Sequence, residues 1–370
     1  MTLILHLITG LGSGGAERML TRIATHDFGG ETRQVVVSLI DDNVHAAMLR
    51  DAGVEVHSLG MRRGRPGWGQ VPQLARLVRR LRPDLIMTWL YHADLMGTLA
   101  APLSGSPPVV WCIRCSNLDL KRHPRMTRWT VASLARLSRL PAAVAYNSEA
   151  GRVSHAELGY RPRRWAYLPN GFDVDEWRPD EDDRKAVRHE LGFDDDHKVV
   201  GLVARIDPEK DHVTFLAAAA RVATVSPNIR FVLIGRGTDA CKMPEELNGR
   251  MTALGERSDM ARLLRGLDVA TLCSHSEGFP NAVGEAMATA LPCIVTDVGD
   301  TAKIVGETGI VVPPRDSTAL ASAIEVMVAD GQEAWKRRGL AARDRIEKYW
   351  SIETTAQLYQ ELWRDVLDRR

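Results

Sequence analysis

The sequence predicts an α/β protein made of two Rossmann-like, doubly wound domains with parallel sheets. Strand-like runs of aliphatic and β-branched residues alternate with helix-like amphipathic stretches through the first half of the chain and again through the second. Runs such as QVVVSLI (34–40) and KVVGLVA (198–204) are apolar without a period of two, as strands covered on both faces are. Between the halves, YLPNGFDVDEWRPDEDD (167–183) breaks the pattern with Pro, Gly and Asp. A chain of 370 residues suffices for two domains, each with its own core.

The strands expected in the first half are LILHLIT (3–9), QVVVSLI (34–40), VEVHSL (54–59), DLIMTW (84–89), PVVWCI (108–113) and AAVAYN (142–147). Helix-like stretches lie between them at 16–25, 70–81, 92–103 and 126–140. The second half restarts with strands at 198–204, 230–235, 268–273, 292–297 and 309–313. A helix is expected at 212–225, with others near 316–330, 332–348 and 352–369. The expected domains are therefore residues 1–169 and 186–351, joined by a linker at 170–185, with 352–370 as a terminal helix. Two such domains facing each other place ligands where strand carboxyl ends and helix amino ends look into the cleft.

Composition narrows the function classes. Hydrophobic residues at 45% and charged residues at 26% are ordinary globular values. No apolar run reaches the roughly 18–20 residues needed to span a bilayer. The start of the chain lacks a basic leader and cleavage pattern, so a cytoplasmic protein is expected. Five scattered cysteines fit reduced thiols. Cys112 and Cys115 have C-x-x-C spacing, but they sit on a strand-like run with no second pair to complete a zinc site. Residues 1–169 carry 22 Lys and Arg against 12 Asp and Glu; the remainder carries 26 against 35. The basic half suits an anionic partner, a phosphorylated substrate or a membrane surface. Nucleic acid is not expected, because no basic helix with interleaved aromatics and no nucleic-acid motif is present.

Two motifs carry chemistry. GLGSGG (10–15) follows the first strand as Gly-x-Gly-x-x-Gly, the pattern of a dinucleotide turn, in which backbone amides approach a phosphate. For an NAD site the acidic partner would be Asp41, some 26 residues beyond Gly15, which is far for that role. The second motif is CSHSEGFPNAVGEAMATALPCIVTDVGD (273–300). Here Glu277 lies in the loop before a helix, Pro280 suits its first position, and Glu285 falls in its second turn. The amino end of that helix offers unpaired amides and partial positive charge to a ligand with hydroxyls and phosphates.

With this motif, GGAER (14–18), NSEAGR (147–152), LPNGFD (168–173), VARIDPEKDH (203–212), LIGRG (233–237) and LGERSDM (254–260), the chain resembles the retaining GT-B glycosyltransferases of family four over nearly its whole length. The resemblance implies a GT-B fold, an N-terminal acceptor-binding domain, a C-terminal donor-binding domain and a last helix that crosses back to the first domain. It implies sugar transfer from a nucleotide sugar, UDP-linked, to a glycan or lipid-linked glycan acceptor in cell-surface polysaccharide biosynthesis. Net retention and no cofactor or metal are implied too. By the same resemblance Glu277, Arg205 and Lys210 are catalytic. Glu285 binds the ribose, and the backbone from Gly278 through Phe279 and Pro280 to Asn281 holds the donor sugar. Gly235 and Arg257 approach the nucleotide, while Gly14 and Gly15 close on the donor from the first domain. Two cations such as Arg205 and Lys210 answer the negative charge that grows on a leaving diphosphate.

On the acceptor side, relatives carry a histidine late in the first sheet, where this chain has Arg114. Arg114, Asn117 and His92 are the candidates for acceptor contact. KRHPRMTRWTVASLARLSRL (121–140) mixes arginines with Trp129 and leucines and suits peripheral contact with an anionic membrane on the inner face of the cytoplasmic membrane. The competing functions are a GT-B sugar-nucleotide epimerase or hydrolase and a non-catalytic nucleotide-sugar-binding scaffold. Transfer to an added acceptor separates the first two from a transferase.

Overall fold

The computed structural model describes residues 1–12, 14–40, 44–62, 68–116 and 124–369. Its elements run β1 (Thr2–Ile8), α1 (Gly15–Thr25), β2 (Thr32–Ile40), α2 (Val44–Asp51), β3 (Glu55–Met61), α3 (Val71–Leu81), β4 (Leu85–Trp89) and α4 (Tyr91–Ala100). They continue with β5 (Val109–Ile113), α5 (Arg125–Leu137), β6 (Ala143–Tyr146), α6 (Glu149–Glu157), β7 (Trp165–Tyr167) and α7 (Glu181–Glu190). The second series is β8 (Lys198–Val203), α8 (His212–Val225), β9 (Ile229–Ile234), β10 (Met251–Ala253), α9 (Met260–Arg265), β11 (Val269–Leu272) and α10 (Asn281–Ala288). It closes with β12 (Cys293–Thr296), α11 (Thr301–Val305), β13 (Ile310–Val312), α12 (Ser317–Ala329), α13 (Gly331–Trp350) and α14 (Ile352–Asp368).

Two compact units result, one from Met1–Gly171 with Ile352–Arg370 and the other from Phe172–Ser351. The first holds a seven-stranded sheet in the order β3-β2-β1-β4-β5-β6-β7, the second a six-stranded sheet in the order β10-β9-β8-β11-β12-β13. Every pairing in both is parallel. In each order the winding reverses once, between β1 and β4 and between β8 and β11. Outside the carboxyl ends of those strands an open α/β sheet leaves its crevice.

Strands buried on both faces explain the uninterrupted apolar runs: β4 and β5 are buried at all five positions. In the first unit α14 lies on the sheet face shared with α1, where Tyr359, Leu362, Trp363 and Val366 join the core of Ile4, Val36 and Trp89. His6 sits inside this layer. Its Nδ1 accepts from Trp89 Nε1 at 3.1 Å, so Nε2 carries the proton and donates to Gln34 Oε1 at 2.7 Å. Burial lowers the His6 pKa to about 4, although the Gln34 bond acts the other way.

The stretch expected as a linker is instead structured. Phe172 and Trp177 are buried in the core of the second unit, and α7 begins at Glu181 with Asp180 as its cap. Phe172 also pairs with Ser351 as an isolated parallel bridge, its amide donating to Trp350 O at 2.9 Å. A Pro- and Asp-rich composition marks turns, and here the turns are packed by two large aromatic side chains.

Candidate functional site

In the second unit the candidate residues gather on the loops that leave β8 and β11, the two strands of the reversal. After β8 comes Arg205, then a 3-10 turn at Pro208–Lys210 capped by Asp207, whose carboxylate accepts from the Glu209 amide at 3.0 Å. Arg205 Nη2 donates to Asp207 Oδ2 at 2.9 Å, and its side chain is 54% exposed, so the guanidinium lies toward solvent with one nitrogen tied to Asp207. Burial alone would raise the Asp207 carboxyl; the Glu209 amide and the Arg205 guanidinium outweigh it and hold the group below its usual range.

The β11 loop is stitched to this one. The amide of His275 donates to Glu209 O at 2.9 Å. The Cys273 thiol, pushed up to about 12 mainly by burial, donates to Lys210 O and Asp211 O at 3.2 and 3.3 Å. Glu277 is thereby brought to Lys210, with Oε1 2.5 Å from Nζ, and the same oxygen accepts from Ser274 Oγ at 2.7 Å. Both charges are largely shielded, the side chains being 21% and 10% exposed. A short ion pair in such a place is stronger than on the surface and fixes both side chains.

Glu285 lies in the second turn of α10 and is buried. The helix begins at Asn281, with Pro280 at its cap rather than at its first helical position. Gly278 O accepts from the Asp300 amide at 3.1 Å, joining the β12 loop to the cluster. The side chain of Phe279 is taken up by the core of the second unit, stacked on Phe172 at 6.3 Å and edge-on to Trp350 at 5.8 Å.

Gly235 has φ +146°, and a Cβ there would lie 2.3 Å from Ala204 O. Its lack of a side chain thus lets the β9 turn press on the Arg205 loop. The Gly235 amide donates to Gly255 O at 2.8 Å, which adds the 254–260 loop to the group. Arg257, expected to face the nucleobase, is clamped by Asp259 through two bonds of 2.8 and 2.7 Å and by Glu190 at 3.4 Å. These carboxylates raise Arg257 above its usual range, and Arg257 in turn lowers Asp259 to about 2. The loop therefore offers a base its backbone more readily than this guanidinium.

In the first unit the loops of the reversal are those after β1 and β4. Gly14 caps α1 and Gly15 starts it, and a side chain at Gly14 would meet the Glu17 carboxylate at 2.3 Å. His92 is the second residue of α4, half-buried, with a pKa lowered by that burial. Leu90, just before it, has φ +74°, a conformation costly for a branched side chain, and Asp211 beside Lys210 has φ +48°. These two, of six non-glycine residues with positive φ among the described ones, stand at loops of a reversal.

Arg114 departs from expectation. Its guanidinium donates to Leu168 O and Asn170 Oδ1, each at 3.1 Å, and to the Tyr359 hydroxyl, and it stacks 4.6 Å over the Trp89 ring. Its guanidinium is thus engaged within the first unit, and the Tyr359 bond ties the end of β5 to α14. Asn117 and Asp41 lie outside the described residues. Cys112 is buried in β5, and Cys115 pairs its thiol with the Tyr91 hydroxyl at 2.9 Å. A metal-capable trio among the described residues, Asp194, Asp196 and His197, precedes β8 and so lies at the other end of the sheet from the cluster.

Sequence reasoning missed Asp207 and Ser274. An acid directly before Pro-Glu at a turn start is a cap signature, so Asp207 was within reach. Ser274 gives no such signal.

A model described as "Glycosyltransferase Family 4" matches residues 13–176, and one described as "Glycosyl transferases group 1" matches residues 197–330. The chain is 26% identical over 236 residues to the UDP-Gal:alpha-D-GlcNAc-diphosphoundecaprenol alpha-1,3-galactosyltransferase of Escherichia coli, covering 61% of this chain and 60% of that one. It is 33% identical over 208 residues to the D-inositol 3-phosphate glycosyltransferase of Geodermatophilus obscurus, covering 50% and 45%. The matches thus span about half the length of these two curated relatives. Among solved structures, Anabaena HepE in complex with UDP superposes with a TM-score of 0.84 at 22% identity, covering 99% of this chain and 100% of that one. That likeness is one of fold. With one family model on each unit, the chain belongs to the group 1, family four glycosyltransferases of the GT-B fold.

Proposed function

We propose that the protein transfers a sugar from a UDP-linked donor to a glycan or lipid-linked glycan acceptor, with retention at the anomeric carbon, in building cell-surface polysaccharide. The observation that carries this is the Lys210–Glu277 pair at the β8/β11 reversal, with Arg205 at its edge and Glu285 on the following helix. The donor and acceptor classes take support from the relatives, one of which uses UDP-galactose and a diphosphoundecaprenol-linked acceptor while another was solved with UDP.

In this reading Glu285 accepts from the ribose hydroxyls, and the amides from Gly278 to Asn281 meet the sugar. Arg205 and Lys210 take up the charge that grows on the leaving diphosphate, so no metal is required. Glu277, already bonded to Lys210, orients the donor rather than attacking it. The acceptor hydroxyl approaches on the face of the departing phosphate, which takes its proton. Gly14, Gly15 and His92 serve the first domain's side of the reaction. The protein works in the cytoplasm, with residues 121–140, described from 124 onward, touching the inner face of the membrane.

Thermal melting with UDP, GDP, ADP and NAD, each with EDTA, tests the reading on the native protein and on Glu285→Ala. Ligand at about 100 times its dissociation constant adds roughly 2.7 kcal/mol. A rise in melting temperature with UDP, lost in the variant, is expected. A rise with NAD alone overturns the proposal.

A further inference from the structure

Helix α5 presents two different faces. Thr130, Val131 and Leu134 are buried against the sheet, while Arg125, Arg128, Trp129, Arg136 and, just past its end, Arg139 and Leu140 are exposed. At 3.6 residues per turn these exposed positions fall on one side of the helix and form one stripe about 20 Å long. Trp129 is 50% exposed and Leu140 66%. Among the described residues, no ion pair engages the four arginines Arg125, Arg128, Arg136 or Arg139.

The stripe ends at a cavity of about 610 Å³ walled by Arg139, Tyr160, Arg161, Arg163 and Trp165, with no acidic side chain in its lining. Arg161 is pinned there by its guanidinium bonds to Ala156 O and Tyr160 O, and its amide donates to Ser138 Oγ at 2.8 Å. Three arginines and two aromatic residues in one lining suit a phosphate with an organic substituent, because a guanidinium can give a phosphate two bonds. The cavity adjoins Trp165, the first residue of β7, so it sits at the amino end of the first sheet, away from the loops of the reversal.

We infer that the arginine-lined cavity at the end of α5 takes the phosphate headgroup of an anionic phospholipid while Trp129 and Leu140 enter the bilayer surface beside it. This deepens the membrane contact proposed above by giving it a specific headgroup site. The occupant is a bilayer rather than a nucleic acid because two large apolar side chains are exposed within the same cationic stripe. Such residues add apolar burial at the headgroup level, which a polyanion in water does not offer. The exposed arginines add attraction that salt weakens.

Sedimentation of the full protein with vesicles tests this, using phosphatidylcholine alone and phosphatidylcholine with phosphatidylglycerol, in low and high NaCl. Binding is expected only with the anionic lipid, to weaken with salt, and to fall about tenfold or more in Arg139→Gln/Arg163→Gln and in Trp129→Ser. Both arginines are exposed, so the first variant is expected to melt like the native protein. Its melting rise with UDP should also persist, which separates failure of the headgroup site from failure of the transferase reading. Equal binding to both vesicles, undiminished binding of the arginine variant, or equally tight binding to a homopolymeric RNA overturns the inference.

Discussion

Asp259 shows how one carboxylate can hold a loop together, bonded to both Arg257 and Arg262. Its bidentate bond to Arg257 holds its pKa near 2, against an ordinary 3.8. A carboxyl depressed in the folded state contributes stability above its unfolded pKa and loses it as pH falls through the folded value. The melting temperature of Asp259→Asn should therefore lie below that of the native protein at pH 6, and the gap should close between about pH 4 and pH 2. With both side chains about one-third exposed, the gap amounts to less than about 1 kcal/mol. A gap that does not change across that window refutes the assignment. At this scale Glu277, Lys210 and Glu285 stood out as candidates because each belongs to a local motif, and the structure brings Lys210 and Glu277 together. The contacts of Arg114 were not legible, because one of them is with Tyr359, 245 positions away.

Helix α10 shows what an element needs in order to sit where it does. A Cβ at Gly284 would lie 2.0 Å from Phe172 Cζ, so the aromatic ring packs directly on the helix backbone. Gly284→Val should lower stability by about 1–3 kcal/mol through overpacking, read from chemical denaturation. A change within 0.5 kcal/mol would mean that Phe172 relocates freely. The long apolar strands and the strongly periodic helices were readable from the sequence. The short elements β7, β10, α9 and α11 were not; β6, β11, β12 and β13 are as short but stand in apolar, β-branched runs, which those four lack. Helix α7 escaped for another reason: its ten residues, EDDRKAVRHE, bury only Val187 and Arg188.

For the whole molecule, the doubly wound class follows from strand and helix alternation, while the strand order that creates each reversal rests on pairings between distant segments. The membership of α14 in the first unit is the plainest case. Removing residues 352–370 takes Tyr359, Leu362, Trp363 and Val366 out of that core. At about 1.5–3 kcal/mol for each large buried side chain, the loss is about 6–12 kcal/mol, comparable to the entire stability of a domain. Differential scanning calorimetry of the truncated chain should show the first unit's transition abolished while that of residues 172–351 remains. An unaltered profile would mean that the helix adds little.

The discontinuity of the first unit also orders events during synthesis. The 180 residues of Phe172–Ser351 are translated between Gly171 and the helix that completes its core. At about 5–20 residues per second this leaves the face around His6 and Trp89 uncovered for roughly 10–40 s on the ribosome. The second unit, continuous in sequence, has all its residues before the first one does. For this chain, the usual N-terminal-first order of folding is reversed at the final step. Its first-made domain is the last to be finished, and its interval of exposure to chaperones is set by the length of the second.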